Sequence, residues 1–434
     1  MYPPSEQAAT IWDSASSELE LTDSRPAHSV RKIDTRNFRR ATRATSRDIN
    51  RRIVLNLVRE LLPISRADLS RQMGVSRGVV TSIIQGLIDE GIIYEGRTEQ
   101  AARGRRPTML HVRTNDRLAV AVDLRFSRAF IMLSDFAGTQ IALESFETIF
   151  DPKKLVAELV KRIRRLVDDH QSAGQCEGLG LVVPGMVDRT TGRILNAPQL
   201  GWRDVDIVGA ISKGTGLPVY IENAPFACAL AQVWLGKDNH NHSNFVYLTV
   251  SDGVGAGIVV NGELLRGAFN TAGEFGHIPL DPHGPQCLCG AHGCWEAYTS
   301  NQATVSRYLG RELVPVSGKQ PQQPVPLGIE DIITRARRGD GKASSALEVT
   351  GHYLGVGIGG LINGLNPGQV FVGGEITAAW DLIERAVREG ILERVLTRSA
   401  AATPVTPEQL GGYPRLRGAT ALVAAPHFAA PSIA

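Results

Sequence analysis

The chain has 434 residues, of which 43% are apolar, and a formal net charge of +3. This length allows about three compact units, and the apolar fraction is typical of a globular protein with a substantial core. No run approaches the roughly 20 apolar residues that span a bilayer. Residues 1–24 carry five acids and no Lys or Arg. We therefore expect neither a membrane-spanning segment nor a secretory signal peptide.

The cysteines are few and clustered. Three of the five lie between Cys287 and Cys294, a spacing typical of metal binding rather than of a secreted disulfide framework. The chain is therefore expected to work in a reducing cytoplasm.

Residues 1–44 are predicted to form a leader without a packed core. Residues 1–30 mix Ser, Pro, Ala and acids without a hydrophobic period, which is typical of disorder. The charge then reverses, because Arg31 to Glu60 contain ten Lys or Arg against three acids. Such a run is often only a solvated surface, but here it leads into a pattern typical of DNA-binding proteins.

Residues 45–112 predict a winged helix-turn-helix domain. Thr45-x-x-Asp48 is expected to cap a first helix, and Ser65-x-x-Asp68 is expected to cap a second. Gly74-Val75-Ser76 then predicts a tight turn, with Ser76 as the cap of a third helix that ends near Asp89. The apolar face of the third helix is expected to point inward and its polar N-terminal residues outward; the inward residues are Val79, Val80, Ile83, Ile84 and Leu87, and the outward ones are Arg77, Gly78, Thr81 and Ser82.

A wing follows the third helix. A strand at 92–94, a basic glycine-containing turn and a returning strand at 109–112 are predicted. In such domains the second helix of the pair enters the major groove, and arginines of the wing can reach phosphates or a narrow minor groove. The alternative is a three-helix packing module that binds no DNA. The basic leader and wing favour double-stranded DNA, and the candidate contact residues are Ser65, Ser76, Arg77, Thr81, Arg103, Arg105 and Arg106.

From Leu118 onward the pattern changes to alternating strands and helices. This order predicts an α/β fold with two lobes and a cleft. A segment rich in Pro and Gln at 320–326 is expected to be a surface loop. The predicted strands are 118–124, 129–133, 178–183, 219–222, 245–250, 255–260 and 370–372, and the predicted helices are 153–169, 225–234, 329–338 and 343–362.

The stretch from Glu274 to Glu296 predicts a metal site. Three thiolates and one imidazole form the tetrahedral set that is typical of structural Zn²⁺. Glycines within the stretch let the backbone fold tightly enough for the thiols to converge. The alternative is a group of ordinary buried cysteines, with or without a disulfide. The predicted ligands are Cys287, Cys289, Cys294 and His277, with His283 and His292 as other candidates for the histidine.

The same stretch carries a family resemblance. Glu-x-Gly-His at 274–277 and Cys-x-Cys-Gly-x-x-Gly-Cys-x-Glu at 287–296 resemble the signature of the ROK family, which comprises sugar kinases and transcriptional repressors. Further matches extend from about residue 115 to the C-terminus. The resemblance implies an actin-like, hexokinase-like ROK domain at 115–430, in which the zinc loop supports one wall of a sugar-binding cleft. The implied sugar contacts are Asn196, Asn223, Glu274, His277 and Glu296.

Three features of the ROK kinases are altered in this chain. The Asp-x-Gly-Gly-Thr loop that approaches ATP phosphates is Asp-Leu-Arg-Phe-Ser at 123–127. Ala224 stands where the family has its catalytic Asp, and Ala cannot accept a proton. The Gly-Gly-Gly of the family's adenosine site is Gly-Gly-Glu at 373–375 in this chain. A glycine loop at 253–257 remains, but such glycines also serve a tight hairpin. Loss of the kinase reaction is therefore predicted.

The combined prediction is a transcriptional regulator of carbohydrate-related genes, a repressor of the sugar-responsive branch. It is expected to bind DNA as a homodimer or higher homo-oligomer and to be gated by a sugar or sugar derivative. Two alternatives stay open: a regulator that responds to a protein partner or to no ligand, and an active sugar kinase with a DNA-binding head. Because the missing Asp also contacts sugar in the family, the cleft could have a different ligand or be a dimerisation body.

Overall fold

The computed structural model describes most of the chain. Residues 1–42 of the predicted leader, the loop at 320–326 and the wing residues Arg103, Arg105 and Arg106 lie outside the described residues. No helix in the part that is described is both long and apolar enough to cross a membrane. The described residues from 52 to 428 form one compact unit, and 43–51 are the described part of a second. The described ranges are 43–98, 108–235, 243–268, 270–313, 327–408 and 412–428.

Three helices and a small sheet form the N-terminal head, in the predicted order. All neighbouring strands of this sheet are antiparallel, in the order β1-β3-β2. The elements are α1 (Arg43–Glu60), β1 (Ile64–Ser65), α2 (Arg66–Met73), α3 (Arg77–Asp89), β2 (Ile93–Thr98) and β3 (Thr108–Val112).

The caps of these helices follow the predictions only in part. Ser65 and Asp68 form the predicted capping box, with each backbone N–H 3.3 Å from the other side chain. The prediction that Thr45 caps the first helix is wrong, because α1 is already helical at Arg43. The residues before Thr45 extend the helix since Arg and Ala are strong helix formers. Ser76 stands before α3, but its side chain makes no cap hydrogen bond.

The inward face of α3 is narrower than predicted. Val80, Ile83, Ile84 and Leu87 are buried, whereas Val79 is 43% exposed. At 3.6 residues per turn, Val79 lies about 90° from the centre of the buried face. The prediction that Val79 points inward is therefore wrong.

The first lobe is built on a five-stranded sheet with the order β11-β7-β4-β5-β6. Strands β4, β7 and β11 are parallel, and β5 and β6 continue from β4 as an antiparallel meander. The elements are β4 (Arg117–Leu124), β5 (Arg128–Asp135), β6 (Gln140–Glu147), α4 (Pro152–Asp169), β7 (Gln175–Val183), a separate small sheet of β8 (Met186–Asp188), β9 (Arg193–Ala197) and β10 (Trp202–Asp206), α5 (Val208–Thr215) and β11 (Val219–Asn223).

The second lobe repeats this topology. Its sheet has the order β14-β13-β12-β15-β16, again three antiparallel strands followed by two parallel ones. The elements that follow β11 in the chain are α6 (Ala224–Leu235), β12 (Phe245–Val250), β13 (Val254–Val260), β14 (Glu263–Leu264), α7 (Glu296–Thr299), α8 (Asn301–Leu309), α9 (Ile329–Arg337), α10 (Gly341–Leu365), β15 (Gln369–Gly373), α11 (Trp380–Leu392), α12 (Arg398–Ala401), β16 (Val405–Pro407) and the C-terminal helix α13 (Pro414–Phe428).

The C-terminal helix α13 returns to the first lobe and joins it to the head. Val423, Ala424 and Phe428 belong to the same apolar core as the buried residues of the head. Asn56 in α1 donates a hydrogen bond to the carbonyl of Phe428 at 2.9 Å. Head and first lobe therefore share a continuous apolar core with specific polar contacts.

Candidate functional site

The predicted metal ligands converge in space. One ligand atom each from His277, Cys287, Cys289 and Cys294 lies within 4.8 Å of all the others. The sulfurs of Cys289 and Cys294 are 3.7 Å apart, and the Cys287 sulfur is 3.9 Å from His277 Nδ1. With Zn–S bonds of about 2.3 Å, a tetrahedral site needs sulfur–sulfur distances of about 3.8 Å. A disulfide needs about 2 Å. The four residues therefore fit a tetrahedral zinc ion.

The local fold explains why these four residues meet. Gly293 has a φ of +68°, and a Cβ there would lie 1.5 Å from the carbonyl oxygen of Asp281. Only glycine permits this approach. His283 and His292 are exposed, and His292 Nδ1 lies 3.2 Å from the carbonyl oxygen of Gly284 instead. Burial raises the pKa of the Cys294 thiol to about 11, so metal binding would displace its proton.

Three of the five residues implied as sugar contacts lie beside the metal cluster. Glu296 opens α7, and its Oε2 accepts the backbone N–H of Val254 at 2.9 Å. Its Oε1 is 3.6 Å from the Cys287 sulfur. Burial raises the pKa of Glu274, His277 opposes that shift, and the charge of Glu296 adds to it. Glu274, His277 and Glu296 are thus close enough to interact electrostatically.

The other two implied sugar contacts are held by different elements. Asn223 is 8% exposed, and its Oδ1 accepts the backbone N–H of Phe226 at 3.2 Å. Asn196 is half-buried on β9, opposite Arg203 of β10. Gln199 was not among the predicted contacts, yet a Cβ on Gly253 would lie 3.6 Å from its Nε2 and 3.0 Å from Glu296 Oε2. Gln199 therefore reaches the wall that Glu296 forms.

No carboxylate is adjacent in sequence to Ala224, which stands where the family has its catalytic Asp. The nearest in sequence is Glu222, which is 1% exposed. Its Oε2 accepts a hydrogen bond from Arg266 at 2.7 Å and lies 3.3 Å from Arg189. Both contacts place the Glu222 carboxylate in ion pairs with guanidinium groups.

An ion-pair network occupies the place where the resemblance implies ATP loops. Arg125 Nε lies 2.7 Å from Asp123 Oδ2, and Arg125 Nη1 lies 3.3 Å from Glu375 Oε1. Asn301 donates to Glu375 Oε2 at 3.0 Å. Asp123 is completely buried. The network connects strand β4 of the first lobe with Glu375 of the second.

Arg415 completes the network from α13. Its side chain is 14% exposed, and its Nη1 lies 3.9 Å from Asp123 Oδ1. Its Nη2 donates to Ser251 Oγ at 2.9 Å. Burial alone would raise the pKa of Glu375, but Arg415 and hydrogen bonds from Ser251 and Asn301 hold it below its ordinary value. Sequence inspection missed Arg415, Ser251 and Asn301, since no local motif contains them.

The retained glycine loop has a structural explanation. A Cβ on Gly255 would lie 2.9 Å from Pro225 Cγ, and one on Gly257 would lie 2.3 Å from the carbonyl oxygen of Pro225. Strand β13 therefore packs against α6 so closely that only glycine fits at both positions. This contact accounts for the two glycines without a bound phosphate.

The predicted DNA contacts in the head fall into three groups. Ser76, which precedes α3, is exposed, and so are Arg77 and Thr81 on the N-terminal half of α3. Ser65 is 4% exposed, and its hydroxyl donates to Asp68 at 2.6 Å. The structure thus contradicts Ser65 as a contact, because its side chain is buried in the capping box. The three wing arginines lie outside the described residues.

Comparison with curated proteins finds relatives that regulate transcription. The xylose repressor of Bacillus subtilis is 29% identical over 378 residues, which cover 86% of this chain and 94% of the repressor. The DNA-binding transcriptional dual regulator NagC of Escherichia coli is 28% identical over 380 residues, which cover 87% of this chain and 92% of NagC.

Solved structures include both a regulator and a kinase. A ROK family transcriptional regulator, a homolog of the E. coli MLC protein, has a TM-score of 0.73 at 27% identity. The match covers 88% of this chain and 97% of the regulator. A ROK family glucokinase from Streptomyces griseus, in complex with glucose and AMPPNP, has a TM-score of 0.57 at 26% identity. The match covers 70% of this chain and 98% of the glucokinase. The two lobes thus have the actin-like, hexokinase-like fold.

The family model agrees with these relatives. It matches residues 120–425, which is more than half of the chain and includes both lobes and the cysteine cluster. The chain belongs to the ROK family.

Proposed function

We propose that the protein is a DNA-binding transcriptional regulator, and specifically a repressor of carbohydrate-related genes that responds to a sugar-like ligand. The observation that carries this proposal is the union of a three-helix head and a two-lobed cleft in one chain. The xylose repressor and NagC match both parts, since the alignments cover 86% and 87% of the chain. Its free cysteines suit the reducing cytoplasm.

The head would bind the major groove as a winged helix-turn-helix domain at 45–112. Helix α3 would enter the groove with Ser76, Arg77 and Thr81, and Arg103, Arg105 and Arg106 of the wing would add contacts. Two heads in a homodimer would suit a palindromic operator. The described contacts between the head and α13 support a path by which the ROK domain, at 115–430, influences the head.

The cleft would hold a sugar or a sugar derivative between the lobes. Asn196, Asn223, Glu274, His277 and Glu296 would supply fixed polar partners, which discriminate strongly against ligands that leave them unpaired. A ligand would change DNA binding only through its differential affinity for the open and closed arrangements. A Zn²⁺ ion held by His277, Cys287, Cys289 and Cys294 would have a structural role and keep Glu296 in place.

Fluorescence anisotropy tests the regulator proposal. Full-length protein is titrated onto DNA from upstream of its own gene at fixed salt, with and without a panel of sugars and sugar phosphates. Salt must be fixed because phosphate contacts make the affinity steeply dependent on ionic strength. We expect tight binding that one sugar changes at least tenfold. Tight binding that no sugar changes would favour control by a protein partner, and no binding would contradict the regulator proposal.

We also propose that the chain is not a sugar kinase, although the ROK fold is shared with kinases. Ala224, the paired Glu222 and the Arg125–Glu375 contact support this. Coupled measurement of ATP consumption with a hexose panel is expected to give no turnover above the rate without sugar. Turnover that Glu274→Ala abolishes would contradict the proposal, since it would place the reaction in this cleft.

A further inference from the structure

Helix α3 presents an apolar side chain to solvent. Val79 is 43% exposed, whereas Val80 beside it is fully buried. Val79 stands in the first turn of α3, two residues after Arg77 and two before Thr81. Val79 is not among the residues that form the apolar core of the head or pack against it. Burial against a partner would remove this side chain from water.

The polar side chains around Val79 are also without partners. Within the described residues, Ser76, Arg77, Thr81 and Ser82 make no side-chain hydrogen bond or ion pair. Residues nearby behave differently, because Ser70 Oγ donates to the carbonyl of Val75 at 2.7 Å and Gln85 donates to Asp89 at 2.8 Å. Residues 74–86 contain Arg77 and no acid. The surface is therefore complementary to a polyanion that offers both polar and methyl groups.

No contact or backbone angle within the described residues explains why residue 78 is a glycine. It does not have a positive φ, and a Cβ there would meet only Ser76 Oγ, at 4.0 Å. Glycine weakens a helix relative to alanine, so neither the backbone nor the packing of α3 requires it. A glycine beside an exposed valine permits close approach of another molecule to the helix backbone.

We infer that Val79 contacts the C5-methyl group of a thymine in the major groove and thereby helps to determine the operator sequence. This inference rests on the proposed DNA-binding function. Thymine is the base that offers a methyl group in the major groove, and apolar side chains are its usual partners there. Gly78 lets α3 come close enough for that contact. Arg77 and Thr81 supply polar contacts on either side.

Uracil substitution tests the contact directly. The full-length protein first selects its preferred site from random duplexes, and each thymine of that site is then replaced by uracil, which lacks only the methyl group. We expect one symmetry-related thymine pair at which the replacement weakens wild-type binding about fourfold per half-site. Val79→Ala is expected to bind the thymine and uracil duplexes equally. The matched control is Val260→Ala, because Val260 is 42% exposed on the second lobe.

A second variant tests the close approach. Gly78→Ala is expected to weaken binding about tenfold or more on every sequence, although it favours the helix. Gly364→Ala is the control, since Gly364 is an exposed helical glycine with nothing within 4 Å of an added Cβ.

The outcomes separate this inference from the proposed function. Failure to select any site would overturn both. A selected site whose thymines all tolerate uracil, or a uracil penalty that persists in Val79→Ala, would overturn the inference and leave the DNA-binding function standing. Unchanged affinity in Gly78→Ala would contradict the close approach.

Discussion

Arg415→Met is expected to lower the free energy of unfolding by about 3 kcal/mol, because it removes one of the two guanidinium groups that face the carboxylates of Asp123 and Glu375 and leaves them to Arg125. Asp123 is completely buried, and Arg415 lies 3.9 Å from its Oδ1. That oxygen has no hydrogen-bond partner among the described residues. Urea denaturation followed by tryptophan fluorescence at pH 7 measures the change.

Arg385→Met is the matched control for this prediction. Arg385 pairs with Glu348 at 2.9 Å, but its side chain is 76% exposed. Exposed pairs contribute about 0–1 kcal/mol, so the control should remain close to wild type. In the double variant Arg415→Met with Asp123→Asn, the loss should be smaller than the sum of the single losses. Equal losses for Arg415→Met and Arg385→Met would contradict the role of the network.

The decrease in the free energy of unfolding that Arg415→Met causes should depend on pH. In the wild type, Arg415 is among the groups that overcome burial and hold the pKa of Glu375 below 4.5. A carboxyl with a lowered pKa in the folded state stabilises the fold above its unfolded pKa, and this contribution is lost as the pH falls. The difference between wild type and variant should therefore be largest near neutral pH and shrink below about pH 4.5.

Cys289→Ser is expected to reduce bound zinc from one ion per chain to almost none and to lower the melting temperature by about 5–10 °C. Removal of one thiolate breaks a four-ligand site whose remaining ligands cannot close a tetrahedron. Because Glu296 contacts both the Cys287 thiol and the Val254 N–H, the cleft wall should loosen with the metal loop. Elemental analysis and calorimetry of the full chain measure both effects.

Cys176→Ser and a pair of histidine variants provide the controls. Cys176 is half-buried outside the cluster, so its replacement should leave the zinc content unchanged. His277→Ala should release zinc, whereas His283→Ala should retain it because His283 is exposed. Retention of zinc by both Cys289→Ser and His277→Ala would contradict the ligand set.

Local patterns were sufficient for two parts of this protein. The capping box joins Ser65 to Asp68, only three positions later in the chain. The spacing of Cys287, Cys289 and Cys294 brings the three thiols together within one loop. Such short-range geometry depends on a few backbone angles, so the sequence alone indicates it. The family resemblance added the actin-like, hexokinase-like architecture, which strand and helix periodicity would not have identified.

Long-range packing determined the features of the fold and of the site that no local pattern indicates. Helix α13 was not predicted, because it is buried on nearly all sides and therefore has no amphipathic period. The exposure of Val79 depended on which face of α3 the head buries. The network of Asp123, Arg125, Ser251, Asn301, Glu375 and Arg415 joins segments almost 300 residues apart. No local spacing encodes these contacts, since they form only when the two repeated sheets and the returning helix pack together.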